Sequence, residues 1–387
     1  MTFYGYRREN GEVGVRNIIL VLPSVFCANK TAEQIAKNVE GTVCMRHPLG
    51  CGQVGKDLEM SARTLAALGR NPNVYAVLVV GLGCERILPQ ELVDGIAASG
   101  KKIAKVVIQD EGDTLATIKK GTEIVSRWAQ EASMVQREEF DLSKLIVAVK
   151  CGGTDATSGL AANPTVGAMS NKLVDAGATV ILSEINELVG AENILAKRAV
   201  DDEVREKIYS TIYKMEEYFA NRAGDPEFSE RRHLISTGNF EGGVSSIVEK
   251  ALGGVHKSGD RPIVDVTGYA EYPHRRGGVV LMDSPSHDGE VVTSQVAGGA
   301  QIVVFTTGRG TPAGFPIAPV IKVTGNSRTW ASMRENIDFD ASPVLTHEST
   351  IDEKGKELYE TVIDVANGKL TRAEVFGHDE LFCVTRW

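Results

Sequence analysis

The chain has 387 residues, more than one hydrophobic core usually organises, so two or three domains are expected. Its 42% apolar and 24% charged residues exclude a disordered chain, and no apolar run is long enough to span a bilayer. A net charge of −9 argues against a nucleic-acid surface, and six cysteines without a secretory signal point to reduced thiols in a cytoplasm.

In chain order, "IILVLPSV" (18–25), "VYAVLVVGLG" (74–83) and "KIAKVVIQD" (102–110) are continuous in Val and Ile, as strands buried on both faces of a parallel sheet are. Helical spacing marks 30–41, 58–72 and 112–135 between and after them. The alternation predicts a doubly wound α/β unit over 1–135, ended by the polar stretch "QREEFDLSK" (136–144). A second α/β region, 136–387, opens with the strand 145–150, the helix 168–177 and the strand 179–185. A charged helix over 197–222 leads to a loop through Pro226, so this region is expected to subdivide near 225–260. Four more strand-like runs (262–270, 278–284, 301–308 and 320–325) and a helix over 357–368 complete it. The fold class is therefore α/β, with two or three units, mainly parallel sheets and a doubly wound first unit.

Chemistry concentrates at the strand exits. Cys27, Cys51, Cys84 and Cys151 all fall there, at the edge where open α/β sheets bind ligands. A buried cysteine is ordinarily core filler, and Cys27, Cys44 and Cys383 are read so. Cys51, Cys84 and Cys151 have His47, Glu85 and Asp155 close by, and thiolate with imidazole suits Fe2+ or Zn2+. The turns "VVGLGCE" and "VKCGGTD" are either sharp bends or backbone anion cradles, which makes Gly152 and Gly153 substrate-binding candidates. "GLGCER" lacks the third glycine of a dinucleotide fingerprint, so nicotinamide binding is discounted. "FTTGRGT" (305–311) sets Thr306, Thr307 and Arg309 in a glycine frame, either a solvated turn or a carboxylate clamp. Glu184, at a strand exit, is a candidate ligand or base. Lys250 is a candidate for binding a carboxylate or moving its α-proton. His274 and His287 mark an anionic-substrate rim or plain surface.

Taken together, "GYRRENGEVGVRN" (5–17), "HPLGCGQ" (47–53), "GLGCE" (81–85), "KCGGTDATSGLAANPTVG" (150–167), "ILSEINELVGAE" (181–192), "GNFEGGVSSIVEKALG" (238–253) and "FTTGRGT" resemble the altronate/galactarate dehydratase family almost end to end. The resemblance implies a lyase that dehydrates a sugar acid to a 2-keto-3-deoxy acid. It also implies a divalent cation, Fe2+ first, with Mn2+ or Mg2+ as alternatives. A related branch, (2R)-sulfolactate sulfo-lyase, expels sulfite instead. In that light Cys151, Thr154 and Asp155 are expected to meet metal and substrate. His47, Cys51, Cys84 and Cys151 form the metal neighbourhood, with Asn163 beside the substrate. Glu184, Lys250 or His47 is the base. The chain begins almost at the "GYRRENG" block, where many family members carry a further small domain, so a small partner subunit is expected, in a homo-oligomer or heteromer. A metal- or anion-binding protein without chemistry is the alternative of another class.

Overall fold

The computed structural model describes residues 2–223 and 234–385. Ile18–Pro23, Thr42–Cys44, Val74–Gly81 and Lys102–Val107 form a four-stranded sheet in the order Thr42–Cys44, Ile18–Pro23, Val74–Gly81, Lys102–Val107. Every pairing in it is parallel. Successive strand side chains point to opposite faces. Ala76, Leu78 and Val80 accordingly pack under the helices Asn29–Lys37 and Thr114–Ser133, while Val77 and Val79 pack under Gly55–Arg70 and Pro89–Ala97. Helices on both faces make this unit doubly wound, as the unbroken Val/Ile runs predict.

The second sheet has seven strands, all parallel, in the order Ile263–Thr267, Val279–Met282, Thr179–Leu182, Ile146–Gly152, Ile302–Thr307, Val320–Thr324, Phe339–Asp340. One face (Val147, Val149, Val180, Val304) packs on the helices Asn163–Asp175, Asp202–Ala223 and Ile351–Ala366. The other (Ile146, Ala148, Val303, Phe305) meets Asp288–Ala297 and shares a core with the helix Gly55–Arg70 of the first unit. Among the described residues no helix is long and apolar enough to cross a membrane. The expected loop through Pro226 lies outside the described residues.

The polar stretch 136–144 is not all connection. Glu138–Asp141 is a strand, antiparallel to Thr2–Arg7, with Phe3 opposite Phe140. Its charges do not prevent pairing because only Phe140 turns inward, while Glu138 meets Arg7 at 2.7 Å on the exposed side.

Two buried amides, Asn71 and Asn73, bind the units of the two sheets together, and a third, Gln301, ties the segment at Val13 to the second unit. Asn71 Nδ2 donates to Val296 O and Ala300 O (2.7 and 2.9 Å), and Asn73 Nδ2 to Gln301 O and Ile317 O (2.9 and 3.0 Å). Gln301 Nε2 in turn donates to Val13 O and Lys144 O (2.6 and 2.9 Å). All three side chains are fully buried, so each bond satisfies a group that would otherwise cost free energy.

Candidate active site

The central strand Ile146–Gly152 delivers Lys150 and Cys151 to the carboxyl edge of the seven-stranded sheet. The next strand, Thr179–Leu182, is followed by Glu184 in the left-handed region (φ 69°), where a non-glycine residue is held at a cost. That backbone turn aims the fully buried Glu184 carboxylate back at the central strand, where it accepts from Cys151 N–H (3.1 and 3.3 Å). Lys250, in the helix Ile247–Val255, and Lys257, in the short turn His256–Ser258, close the group from the opposite side.

Their ammonium groups converge. Lys257 Nζ pairs with Glu184 and lies 3.1 Å from Cys151 Sγ. Lys250 Nζ lies 2.9 Å from Glu187 and 3.6 Å from the same sulfur, and donates to Thr154 Oγ1. Lys150 Nζ, 4.8 Å from the Phe305 ring centroid, pairs with Asp288 and lies 3.4 Å from Glu184. Three cations thus face the carboxylates of Glu184, Glu187 and Asp288 around one thiol.

The balance fixes the protonation states. Burial works against the charge on Lys250, but the Cys151 sulfur, Glu187 and Glu184 outweigh it and hold its pKa above the ordinary lysine value; Lys257 and Lys150 are likewise raised. Burial also opposes the charge on Glu184, and Lys257, Lys150 and Lys250 overcome it, so its pKa is lowered. For Cys151, burial and then Glu184 raise the pKa against the pull of Lys250 and Lys257. Three carboxylates thus face three ammonium groups around the sulfur. A lowered carboxylate pKa gives stability above the ordinary value of 4.5 that is lost as pH falls through the shifted one. The raised lysines add stability that is present below 10.5 and lost only as pH climbs past their shifted values. Urea denaturation is therefore expected to show a plateau across neutral pH and a fall below about 4.5 that Glu184→Gln makes shallower, since other carboxylates with lowered pKa values, such as Glu85 and Asp175, share that limb. An unchanged acid limb in that variant would count against the assignment.

The structure redistributes the residues singled out above. It brings Cys151, Thr154, Glu184 and Lys250 together. Asp155 is otherwise engaged: it accepts from Thr157 Oγ1 (2.6 Å), Ser158 N (3.1 Å) and Asn326 Nδ2 (2.9 Å), bracing the turn. Gly308 packs so close to it that a Cβ there would lie 2.2 Å from Asp155 Cγ, and Gly153 O accepts from Gly308 N and Arg309 N (3.1 Å each). The two glycine turns, Gly152–Gly153 and 308–310, are thus bonded to each other. Thr306 Oγ1 donates to Asn163 Oδ1 (2.7 Å), Asn163 Nδ2 to Gly253 O (3.0 Å), and Thr307 Oγ1 accepts from Gly310 N (2.9 Å). Arg309 is exposed and paired with Glu241 at 3.1 Å, outside the buried cluster.

His47, Cys51, Cys84 and Cys151 do not form one ligand set. His47 is buried, its Nε2–H donating to Pro23 O (2.7 Å) and its Nδ1 accepting from Leu49 N (3.2 Å). Both ring nitrogens are occupied, and burial lowers its pKa, so it is neither ligand nor base. Cys51 and Cys84, with Cys27, are exposed on neighbouring loops of the four-stranded sheet, joined where Arg86 N donates to Gly50 O (2.8 Å) and Phe26 N to Leu49 O (2.8 Å). Cys151 belongs to the other sheet. Glu85 is a turn brace, accepting from Leu82 N and Gly83 N (2.9 and 2.6 Å).

Sequence reasoning did not assign Lys150, Glu187, Lys257 or Asp288 to the site. The signal for Lys150 was a lysine ending an otherwise apolar strand. Asp283, at the exit of Val279–Met282, was also missed; burial raises it to about 6, and its Oδ1 is buried without a partner among the described residues.

A cavity of about 250 Å³ opens beside the cluster, lined by Thr154, Asn163, Lys250, Gly253 and His256 among others. A larger one, about 460 Å³, shares no residue with the cluster and mixes Lys30 and Arg46 with Glu33, Asp379 and Glu380, so no one sign of charge prevails there. The smaller cavity also mixes charges, with Lys250 facing it alongside Asp155 and Glu249, but it is the one that Lys250 of the cluster reaches.

Among the described residues, two groups converge closely enough to hold a metal ion: Cys151, Glu184 and Glu187, and His287, Glu290 and Cys383. The first fits a cation poorly, because Lys250 and Lys257 already direct ammonium groups at its sulfur and carboxylates.

Comparison with known proteins agrees along the chain. Residues 142–387 match the family described as D-galactarate/Altronate dehydratase, C-terminal, and residues 5–133 match D-galactarate dehydratase/Altronate hydrolase, second domain. The chain is 42% identical to the (2R)-sulfolactate sulfo-lyase subunit beta of Chromohalobacter salexigens, over 100% of this chain and 97% of that protein. It is 34% identical to altronate dehydratase of Bacillus subtilis (98% of this chain, 77% of the relative). It is 35% identical to galactarate dehydratase (L-threo-forming) of Escherichia coli (95% and 73%).

Proposed function

The chain belongs to the D-galactarate/altronate dehydratase family, and on that premise we propose that it is a lyase acting by β-elimination on a hydroxy acid, a sugar acid of the altronate or galactarate kind. The observation that carries this is Lys250: a buried ammonium on the wall of the small cavity, 2.9 Å from Glu187 and bonded to Thr154. A substrate carboxylate entering the cavity takes Lys250 and Thr154 as partners in place of Glu187. The Glu187 carboxylate, no longer paired with Lys250, accepts the proton on the carbon next to the substrate carboxylate. The electron pair of that C–H bond forms the new C=C bond as the β C–O bond breaks, and the departing hydroxide leaves as water with a proton drawn from Lys250. The enol tautomerises to the 2-keto-3-deoxy acid. Glu184, with Lys257 and Lys150, positions the cluster and takes no proton. A divalent cation, Fe2+ first, with Mn2+ or Mg2+ as alternatives, would add positive charge to the developing dianion.

A second reading, release of sulfite from (2R)-sulfolactate, is favoured by the match over 97% of the sulfo-lyase relative. That relative is named as a subunit, and a small partner subunit is part of the proposal for this chain in either reading. The test incubates oxygen-protected protein with altronate, galactarate and (2R)-sulfolactate, with and without divalent cation and candidate small subunit. Formation of 2-keto-3-deoxy acid supports the first reading, and free sulfite the second. Unchanged substrates in every mixture would leave a metal- or anion-binding protein without chemistry.

A further inference from the structure

We propose a mononuclear site for a thiophilic divalent cation at His287, Glu290 and Cys383, beside the lysine cluster. One ligand atom from each side chain lies within 4.8 Å of the other two. Imidazole, carboxylate and thiolate together suit Zn2+ or Fe2+ rather than Mg2+, and three protein ligands leave a coordination position open.

The convergence is built by two segments far apart in sequence. His287 stands at the residue just before the helix Asp288–Ala297, without its side chain bonding to the helix end, and Glu290 follows three residues on. Cys383 comes from the end of the described chain, and four bonds hold that segment in place. Leu381 N donates to Gly314 O (3.0 Å), Cys383 N to Thr293 Oγ1 (2.9 Å), Thr293 Oγ1 to Leu381 O (3.3 Å) and Thr385 Oγ1 to Glu290 Oε1 (3.0 Å). The last of these orients a ligand carboxylate from behind, as outer partners of metal sites do. Gly289 makes the approach feasible: a Cβ there would lie 2.8 Å from Cys383 Cβ, tighter than side chains tolerate, and 3.6 Å from His287 Cε1.

The chemistry differs from that of the Cys151 group. Among the described residues no ammonium or guanidinium pairs with Glu290 or approaches Cys383, whereas the Cys151 group faces Lys250 and Lys257. His287 is exposed, and Glu290 and Cys383 are half-buried, so an ion has a path in. The residue between His287 and Gly289 is Asp288, whose carboxylate pairs with Lys150, so an ion here would sit one residue along the chain from the cluster. The site deepens the lyase reading by locating its cation, but binding can be measured without any substrate.

The test titrates chelator-stripped, reduced full-length protein with Co2+ alone and follows the thiolate-to-cobalt charge-transfer band in the near ultraviolet. The band is expected in the unaltered protein and in Cys51→Ser, Cys84→Ser and Cys151→Ser. It is expected to vanish in Cys383→Ser, and His287→Ala, which removes a ligand, should weaken binding by more than the roughly 10–100-fold that loss of an outer partner costs. His287 is exposed, so its variant keeps the test open even where Cys383→Ser fails to fold. No band in the unaltered protein, a band that survives Cys383→Ser, or one that is lost with Cys151→Ser would overturn the site. Loss of the site with turnover intact sinks only this inference, and a cobalt band in a protein without turnover sinks only the lyase reading.

Discussion

Replacing Glu184 with alanine is expected to destabilise the protein by about 3–5 kcal/mol, because it removes one member of a buried ion network and strands the others. Glu184 is 0% exposed and faces Lys257 and Lys150, whose ammonium groups would then lie buried with reduced compensation. Glu184→Gly separates the electrostatic loss from the backbone one. Position 184 holds φ 69°, which glycine adopts without the roughly 1–2 kcal/mol penalty of other residues. Glu184→Gly should therefore be the more stable of the two by about 1 kcal/mol, while both remain well below the parent. Urea denaturation at neutral pH reads all three proteins. A loss under about 1 kcal/mol in both variants would show that the cluster is not held together by charge.

Lys250→Met is expected to lower kcat/KM by about 10²–10⁴-fold, the range found when a positioned proton-transfer group is removed. Methionine keeps the length and apolar volume, so the helix Ile247–Val255 retains its packing while the charge on the cavity wall disappears. Lys250→Arg should not restore the rate. A planar guanidinium cannot take the place of a compact ammonium that contacts Thr154, Glu187 and Cys151 at once. A Lys250→Met enzyme with near-normal kcat/KM on whichever acid proves to be the substrate would remove Lys250 from the chemistry. Raised KM with intact kcat would reduce it to substrate binding alone.

Much of the fold could be read from the chain. Unbroken Val and Ile runs marked the parallel strands because both faces of each sheet are covered, so no polar alternation interrupts them. Thr2–Arg7 and Glu138–Asp141 escaped notice for the opposite reason. They pair at the protein surface, with Arg7 and Glu138 on the outside, and read as a charged tail and a polar linker. The site was half legible. Cys151, Thr154, Glu184 and Lys250 were singled out at strand exits or near glycines, and the structure gathers them. What spacing could not show is which sheet each cysteine serves: Cys27, Cys51 and Cys84 stand on one edge and Cys151 on another. Nor could it show that Lys257 reaches a thiol 106 residues away, or that Asp155, by residue type a plausible acid, has its oxygens filled by Thr157, Ser158 and Asn326. His47 misled because imidazole next to a glycine-cysteine turn suggests a ligand, whereas two backbone groups claim its nitrogens.

The buried amides of Asn71 and Asn73 have a mechanical consequence. Swinging one sheet away from the other would break the bonds of Asn71 and Asn73 and strip donors from acceptors in a dry interior, at a cost of the order of 1–3 kcal/mol for each group left unmet. A molecule joined in this way has no jaw to open and close around its cargo. Any ligand that enters the small cavity must therefore pass the turns at its rim, with the two halves staying joined.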